Sequence, residues 1–452
     1  MDSTRTARLF APVDGASLAV FRMAFGAILV WEVLRFAQMG WIDEYFIEPE
    51  FHFTYGGFRW VRPLPGWGMH ALFGGLGLLA TAIALGAWTR LSAALFCVGF
   101  SYVFLIEKAR YLNHFYLVIL LLGLMAIVPA GRVWSWDARG TRQRTVPAWS
   151  LFLLRTQLGL VYMLAAVAKL NVDWLQAQPL TEWLSSRHDH VILGPLLQWE
   201  LSPWLFSYGG LLLDALAWPL LLWPKTRTTA FLFVCSFHLM NSSLFGIGIF
   251  PAMMIASTTL FLEPDWPRRL WAWVRRRTGR ALPQAPASDG PDLPPAGAAS
   301  RRWVLGFLVA YLGFQALFPL RHFLYPGRVS WTEEGHAFAW HMKLRGKHGR
   351  ATFRVSSPTS GESWLVDPRA ELNDWQYRKL CGRPDMVLEY AHHLADRMAG
   401  EGHGQVEVRA NVVASLNSRP AQRLIDPDVD LSQVEWTFVA PSPWILPLEP
   451  QP

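Results

Sequence analysis

The stretch Val161-Tyr-Met-Leu-Ala-Ala-Val-Ala-Lys169-Leu-Asn-Val-Asp-Trp174 closes a strongly apolar run that begins at Trp149. It reads as a helix ending in a single amine, followed at once by a polar turn. An ammonium at membrane depth is costly, so an intramembrane lysine marks a functional site by default. Desolvation makes such an amine easier to deprotonate, and a neutral lysine acts as a base. The same position also suits a lysine that caps its helix and snorkels to the headgroups. Position alone leaves both readings open.

The rest of the chain extends the membrane reading. Hydrophobic residues make up 52% of it and charged residues only 17%, a balance too poor in charge for an ordinary soluble domain. Repeated apolar runs predict a multi-pass α-helical membrane bundle, with candidate spans at 17–38, 68–88, 91–107, 112–129, 149–170, 207–223, 226–244, 247–263 and 303–321. The shorter runs need burial in the bundle or flanking anchors, so about eight to nine transmembrane helices are expected. The first run carries Arg22, Glu32 and Arg35 without a clear cleavage site, which argues against a cleaved signal peptide.

Charge then sets the orientation. Alternate loops hold Arg5 and Arg8, then Arg90, then Arg132 through Arg144, then Lys225 and Arg227, then Arg268 through Arg302. The positive-inside rule places these loops and the N-terminus in the cytoplasm, and nine spans place the C-terminal region outside. The net charge of +7 therefore reports topology, and no nucleic-acid partner is expected. Cys97 and Cys235 fall in apolar runs and Cys381 stands alone, so neither a disulfide framework nor a metal site is expected.

Residues 281–302 are rich in Pro, Ala and Gly and predict a disordered cytoplasmic linker. Beyond His322 the pattern changes. Ala351–Val355 and Gln405–Arg409 alternate like strands, and 375–400 reads as an amphipathic helix. The expected organisation is a helical membrane domain over 1–321 and a small extracytoplasmic α+β, β-rich domain over 322–452.

With this topology Asn113, His114, Lys169, His238 and Asn241 all fall toward the outer leaflet. Polar residues in a bilayer face the bundle interior or a cavity, so their convergence predicts an outward-facing site. Each has a plainer reading too. His114 suits interfacial water, while His238 and Asn241 suit hydrogen bonding between helices. Asp214 and Arg155 read as a structural pair, and Glu32 with Arg35 as a local one.

The words Asn113-His114-Phe-Tyr-Leu, Val161-Tyr162 with Lys169-Leu-Asn-Val-Asp173-Trp174, Phe237-His238-Leu-Met-Asn241 through Phe250, and Glu263-Pro-Asp-Trp-Pro-Arg268 are distinctive. They resemble the vitamin K-dependent γ-glutamyl carboxylase family, part of a wider group sharing a horizontally transferred transmembrane domain. Trp331-Thr332, Trp340-His-Met342, Asn417-Ser-Arg419 and Gln422-Arg423 through Asp430 continue the resemblance over nearly the whole chain.

The resemblance implies a reaction. A base deprotonates reduced vitamin K, O2 adds, and the oxygenated product removes a γ-proton from a peptide glutamate. CO2 then captures the carbanion, and the cofactor leaves as its epoxide. Lys169 aligns with the catalytic lysine, and Asn113 and His114 with residues that hydrogen-bond the reacting oxygens. His238, Asn241, Phe245, Phe250, Trp340 and Met342 align with the quinone-contacting wall. His336 falls where the peptide glutamate is expected, and Arg345 with Lys347 nearby suits either an acidic peptide or a plain solvated basic face. The cofactor is a phylloquinol or menaquinol, with O2 and CO2 as co-substrates. The partners are a glutamate-containing peptide and the lipid membrane.

Some positions depart from the vertebrate pattern. Ala168 replaces a second lysine, and His336 stands where vertebrate members carry a tyrosine. The vertebrate interdomain disulfide has no counterpart, because Cys97 lacks a partner and His393 lies near the second position. The chain ends at Pro452, well short of the vertebrate C-terminal portion. These features point to a bacterial homologue in the inner or plasma membrane. The leading expectation is a γ-glutamyl carboxylase, a lyase-type enzyme. The alternatives are quinone epoxidation without carboxylation, and a non-enzymatic quinone- or lipid-binding scaffold.

Overall fold

The computed structural model describes residues 3–141, 143–278, 297–437 and 440–449. Its architecture is mostly helical, with a small sheet near the C-terminus. Among the described residues six helices are long and apolar enough to cross a membrane: Ala16–Gln38, Gly68–Leu85, Thr89–Ile106, Ala148–Lys169, Ser202–Leu222 and Ala298–Leu324. The other three expected spans fall short for different reasons. Asn113–Ile127 and Phe250–Phe261 are apolar but shorter. Arg227–Leu244 has the length, yet Thr228, Thr229, Ser236, His238, Asn241, Ser242 and Ser243 dilute its apolar character.

The last long helix starts at Ala298, inside the expected linker, so 298–302 are helical rather than disordered. The remainder of the linker expectation, 281–296, lies outside the described residues.

The two ends of the bundle differ in character. At one end strand β1 (Pro12–Asp14) pairs with β2 (Thr145–Pro147), and Arg268 Nε meets Asp14 Oδ2 at 2.8 Å. Arg227 pairs there with Glu263. Buried Arg22 donates to the carbonyls of Ile83 and Ala84, both at 2.8 Å, and to that of Trp134 at 2.6 Å. Gly86 ends its helix at φ 71°, and a Cβ there would stand 2.4 Å from the Arg22 guanidinium. Only glycine satisfies both demands. This end gathers the arginine-rich loops.

The opposite end carries the sheet, an antiparallel order β4–β3–β5–β6 with β3 at Lys347–Ser356, β4 at Ser363–Val366, β5 at Glu407–Leu416 and β6 at Gln422–Arg423. Ala351, Phe353 and Val355 alternate inward on β3, and Val408, Ala410, Val412 and Ala414 do so on β5. Helix Pro384–Gly400 buries Met386, Val387, Tyr390, Ala391 and Leu394 in the same cluster as those strand residues. The expected helix over 375–400 is in fact two, Asp374–Leu380 and Pro384–Gly400. Pro384 explains the break, since it forces Arg383 into extended backbone at φ −130° and ψ 100°.

Polar contacts fasten this part to the bundle. Gln376 Nε2 donates to the carbonyl of Phe51 at 2.8 Å and to Glu107 Oε2 at 2.9 Å. Lys108 Nζ meets Asp385 at 2.9 Å and Glu389 at 3.0 Å. On the other side Asp173 accepts from Arg419 at 2.6 and 2.7 Å, from Asn417 at 2.7 Å and from Arg328 at 3.0 Å.

Burial alone would raise the Asp173 pKa, but the Arg419 and Asn417 hydrogen bonds and the Arg419 and Arg328 charges hold it below the ordinary value. Its stabilising contribution is therefore complete above pH ~4 and fades as pH falls through the depressed value. Asp173→Ala leaves Arg419 buried and uncompensated, at a cost of about 3–5 kcal/mol. We expect faster limited proteolysis of the sheet region in this variant at neutral pH. Cleavage at the wild-type rate would show that the latch contributes nothing.

Candidate active site

A cavity of about 1720 Å³ runs from the bundle interior into the sheet-bearing end. Helix Ala148–Lys169 delivers its last residue to this space. The helix ends because Asn171 starts a new turn, its Oδ1 accepting from Trp174 N at 3.0 Å. Lys169 is 6% exposed, and its Nζ lies 2.5 Å from Asp214 Oδ2 on helix Ser202–Leu222. The Trp174 ring lies 5.2 Å from the same ammonium. Asp214 thus pairs with Lys169, not with Arg155 as the expected pairing of charges on consecutive spans had it. Arg155 instead donates to the backbone carbonyls of Leu260 at 2.6 Å and Leu262 at 2.9 Å. The local Glu32–Arg35 pair is present at 2.5 Å.

The bundle half of the cavity has an apolar wall with few polar atoms. His238 Nε2 lies 2.9 Å from the Tyr162 hydroxyl, and its Nδ1 has no partner among the described residues. The Phe250 ring sits between His114 at 6.0 Å and His238 at 5.7 Å. Asn241, Phe245, Met254 and Met342 complete this part of the lining. Trp340 does not line the cavity. It is 1% exposed and packs on Tyr116 in the bundle core, 5.2 Å between ring centroids.

A strap over 333–346 closes the cavity from the sheet side. Four of its residues, Glu333, Phe338, Trp340 and Lys343, hold left-handed backbone with φ between 54° and 63°. Such conformations cost about 1–3 kcal/mol each in non-glycine residues and persist where surroundings over-determine them. Asn113 is one such surrounding. Its Nδ2 donates to the His341 carbonyl at 3.0 Å, while its Oδ1 accepts from the Tyr111 hydroxyl at 2.8 Å. Both ends of the Asn113 amide are thus occupied, and its reach into the cavity passes through the strap.

The strap brings His336 and Arg345 together. Arg345 Nη1 donates to His336 Nε2 at 2.6 Å, and its other nitrogens bind Glu333 at 2.6 and 2.5 Å. Lys347 Nζ reaches the same Glu333 at 3.0 Å and the carbonyls of Trp331 and Gly382 at 2.5 and 2.8 Å. Burial, reinforced by Arg345, holds the His336 pKa well below its ordinary value, which keeps the imidazole a neutral acceptor. Burial also lowers Lys347 to about 8, against the opposing charge of Glu333.

His341 is the residue that sequence reasoning passed over between Trp340 and Met342. It is 5% exposed, lines the cavity, and neither ring nitrogen has a partner among the described residues. Burial, with the neighbouring His322, pushes its pKa down to about 3. A neutral imidazole with one free donor and one free acceptor is a ready ligand contact. Glu333 and Tyr162 were also missed, since single acidic or aromatic residues carry no spacing signal.

Charge divides the cavity. Twelve Lys and Arg side chains line it against six Asp and Glu, and the acids near the strap are already paired. Lys343 and Lys379 have no carboxylate partner among the described residues. Both are exposed to the cavity space, and the protein walls around it lower both, Lys379 to about 8 with Arg345 and Arg383 adding to the effect. The sheet-side half is therefore an electropositive chamber above an apolar one. Among the described residues no group of three or more His, Cys, Asp or Glu is arranged to hold a metal, and all three cysteines are free.

Comparison with known proteins fits this two-part layout. The HTTM domain model matches residues 10–266, and the model of the vitamin K-dependent gamma-carboxylase lumenal domain matches residues 300–451. No solved structure matches the chain. With more than half of its length under the first model and the sheet-bearing end under the second, the chain belongs to the vitamin K-dependent γ-carboxylase family.

Proposed function

We propose that the protein is a membrane-embedded vitamin K-dependent γ-glutamyl carboxylase, with reduced vitamin K in the apolar half of the cavity and a glutamyl peptide in the electropositive half. The observation that carries this reading is the continuity of the cavity. One space joins buried Lys169 to a chamber with surplus positive charge. The apolar lining around Phe245, Phe250 and Met254 suits a naphthoquinone with an isoprenoid tail. The unpartnered nitrogens of His238 and His341 offer hydrogen bonds to its oxygens. When bound, reduced vitamin K supplies, with O2, the strong base that removes a glutamate γ-proton before CO2 adds.

The protein's own groups divide the remaining work. Lys169 takes the hydroxyl proton at Nζ. His114 lies across Phe250 from His238, where its imidazole faces the same apolar space. Asn113 holds the strap, and so sets how far His341 reaches inward. In the outer half Arg345, held by Glu333 and His336, presents a fixed cation to an acidic peptide.

The bundle is read as nine crossings with its arginine-rich end in the cytoplasm. The membrane domain runs to residue 321, and the extracytoplasmic domain follows from 322. A cysteine placed at exposed Ser360 is then labelled by an impermeant reagent from outside intact cells. Labelling only after lysis would reverse the orientation.

The decisive assay combines purified protein, reduced vitamin K, O2, labelled bicarbonate and a Glu-rich peptide. We expect both epoxide and peptide-bound label, and loss of both by at least ~100-fold in a folded Lys169→Ala protein. Full epoxidation by that variant would remove Lys169 from the chemistry. Epoxide without label would favour an uncoupled quinone epoxidase, a reading to which the closed Arg345–Glu333 pair lends some weight. Neither product would leave a quinone-binding scaffold.

The charge imbalance makes a separate prediction. Raising salt from ~20 to ~200 mM should increase KM for the acidic peptide several-fold and leave that for the quinol nearly unchanged. An unchanged peptide KM would count against the electropositive half as its binding site.

A further inference from the structure

Asp214 has no task in the reading above. It is 4% exposed, lines the cavity, and forms its one hydrogen bond among the described residues with Lys169, at 2.5 Å. A carboxylate at bilayer depth is costly, and replacing a buried ion pair by apolar side chains is often neutral or stabilising. A pair retained only for helix register belongs at a seam between helices. Both members of this pair instead face the cavity.

The contact also constrains the lysine. An amine with a carboxylate oxygen at 2.5 Å already holds the proton the two groups share. It can accept another only if its own departs. The geometry points to Lys169 and Asp214 as a single proton-accepting unit, with Asp214 Oδ2 as the final acceptor. As a hydroxyl proton of the bound quinol reaches Lys169 Nζ, an Nζ proton passes to Asp214 Oδ2. One O–H bond breaks, one forms on the carboxylic acid, and the electron pair stays on the quinol oxygen. Lys169 is an ammonium before and after, beside the oxygen that has gained negative charge. No net charge is created in the low-dielectric half of the cavity. This inference rests on the quinol reading of the cavity.

Asp214→Asn separates the unit from a lysine working alone, because the two predict opposite signs. Removing the carboxylate frees a lone amine, so a lone base keeps or gains activity. The unit loses its final acceptor, so epoxidation should fall at least ~100-fold while quinone affinity, read by tryptophan quenching, is unchanged. Asp214→Glu should recover at least ~10-fold of that loss. Protection of the amine gives a readout independent of turnover. A small apolar acylating reagent, followed by peptide mass spectrometry, should modify Lys169 at least ~10-fold faster in Asp214→Asn than in wild type. Undiminished epoxidation by Asp214→Asn overturns the inference, as does ready acylation of wild-type Lys169. The wild-type labelling and Asp214→Glu decide the matter if Asp214→Asn fails to insert. Wild-type protein that makes no epoxide refutes the quinol reading, and the labelling still decides whether the amine is held protonated.

Discussion

The ion pair between Lys169 and Asp214 sets the terms for the rest of the structure. Each charge alone would cost several kcal/mol to hold away from water, so neither residue is stable in its place without the other. Their partnership needs helices Ala148–Lys169 and Ser202–Leu222 in a fixed relation. Trp174 supplies it, donating from Nε1 to the Ser207 carbonyl at 2.9 Å while Ser207 Oγ donates back to the Trp174 carbonyl at 2.5 Å. Gly159 makes the same approach possible lower down, where a Cβ would meet the Trp218 ring at 2.2 Å. The pair is thus a product of helix packing, and the cavity is the space that packing leaves.

The sheet-bearing end completes that space by being fastened on two sides. Asp173 stands four residues beyond Lys169 and takes hydrogen bonds from Asn417 and Arg419, so the turn that ends the lysine's helix also anchors the outer part. On the other side Glu107 accepts from Gln376, and burial, partly offset by the hydrogen bonds it accepts from Ala109 and Gln376, raises its pKa to about 8. The strap with its left-handed residues hangs between these two fastenings. Its strain is sustained by contacts at both ends, which is how a closed chamber is held over a membrane site without a covalent tie.

The sequence made the bundle, the terminal lysine and the sheet legible for definite reasons. Apolar runs report burial in lipid directly, and strict alternation in 351–355 reports a half-buried strand. Lys169 stood out because one charge ended a long apolar run. Asp214 does not, because its partner lies 45 positions away and Arg155, on the same preceding span as Lys169, reads as an equally suitable counter-ion. Arg155 found backbone carbonyls instead, an option that no spacing rule reveals. The count of spans was hard to read for a related reason. On Arg227–Leu244 His238 and Asn241 line the cavity while Thr228, Thr229, Ser236, Ser242 and Ser243 are exposed, so this helix resembles a surface helix in composition.

The same logic explains why Glu333 outweighs its lone appearance in the chain. Arg345 and Lys347 both converge on it, and without it two buried cations would face each other beside Lys379 and Arg383. Glu333 offsets part of that repulsion, yet leaves the chamber with an excess of positive charge. An arriving carboxylate would therefore compete with Glu333 for Arg345 while gaining Lys343 and Lys379, which have no acid of their own among the described residues. Such competition would act where the strap begins, because Glu333 sits at its left-handed first turn. Loosening the strap at that end would in turn move His341, whose unpartnered ring lines the same cavity as Lys169.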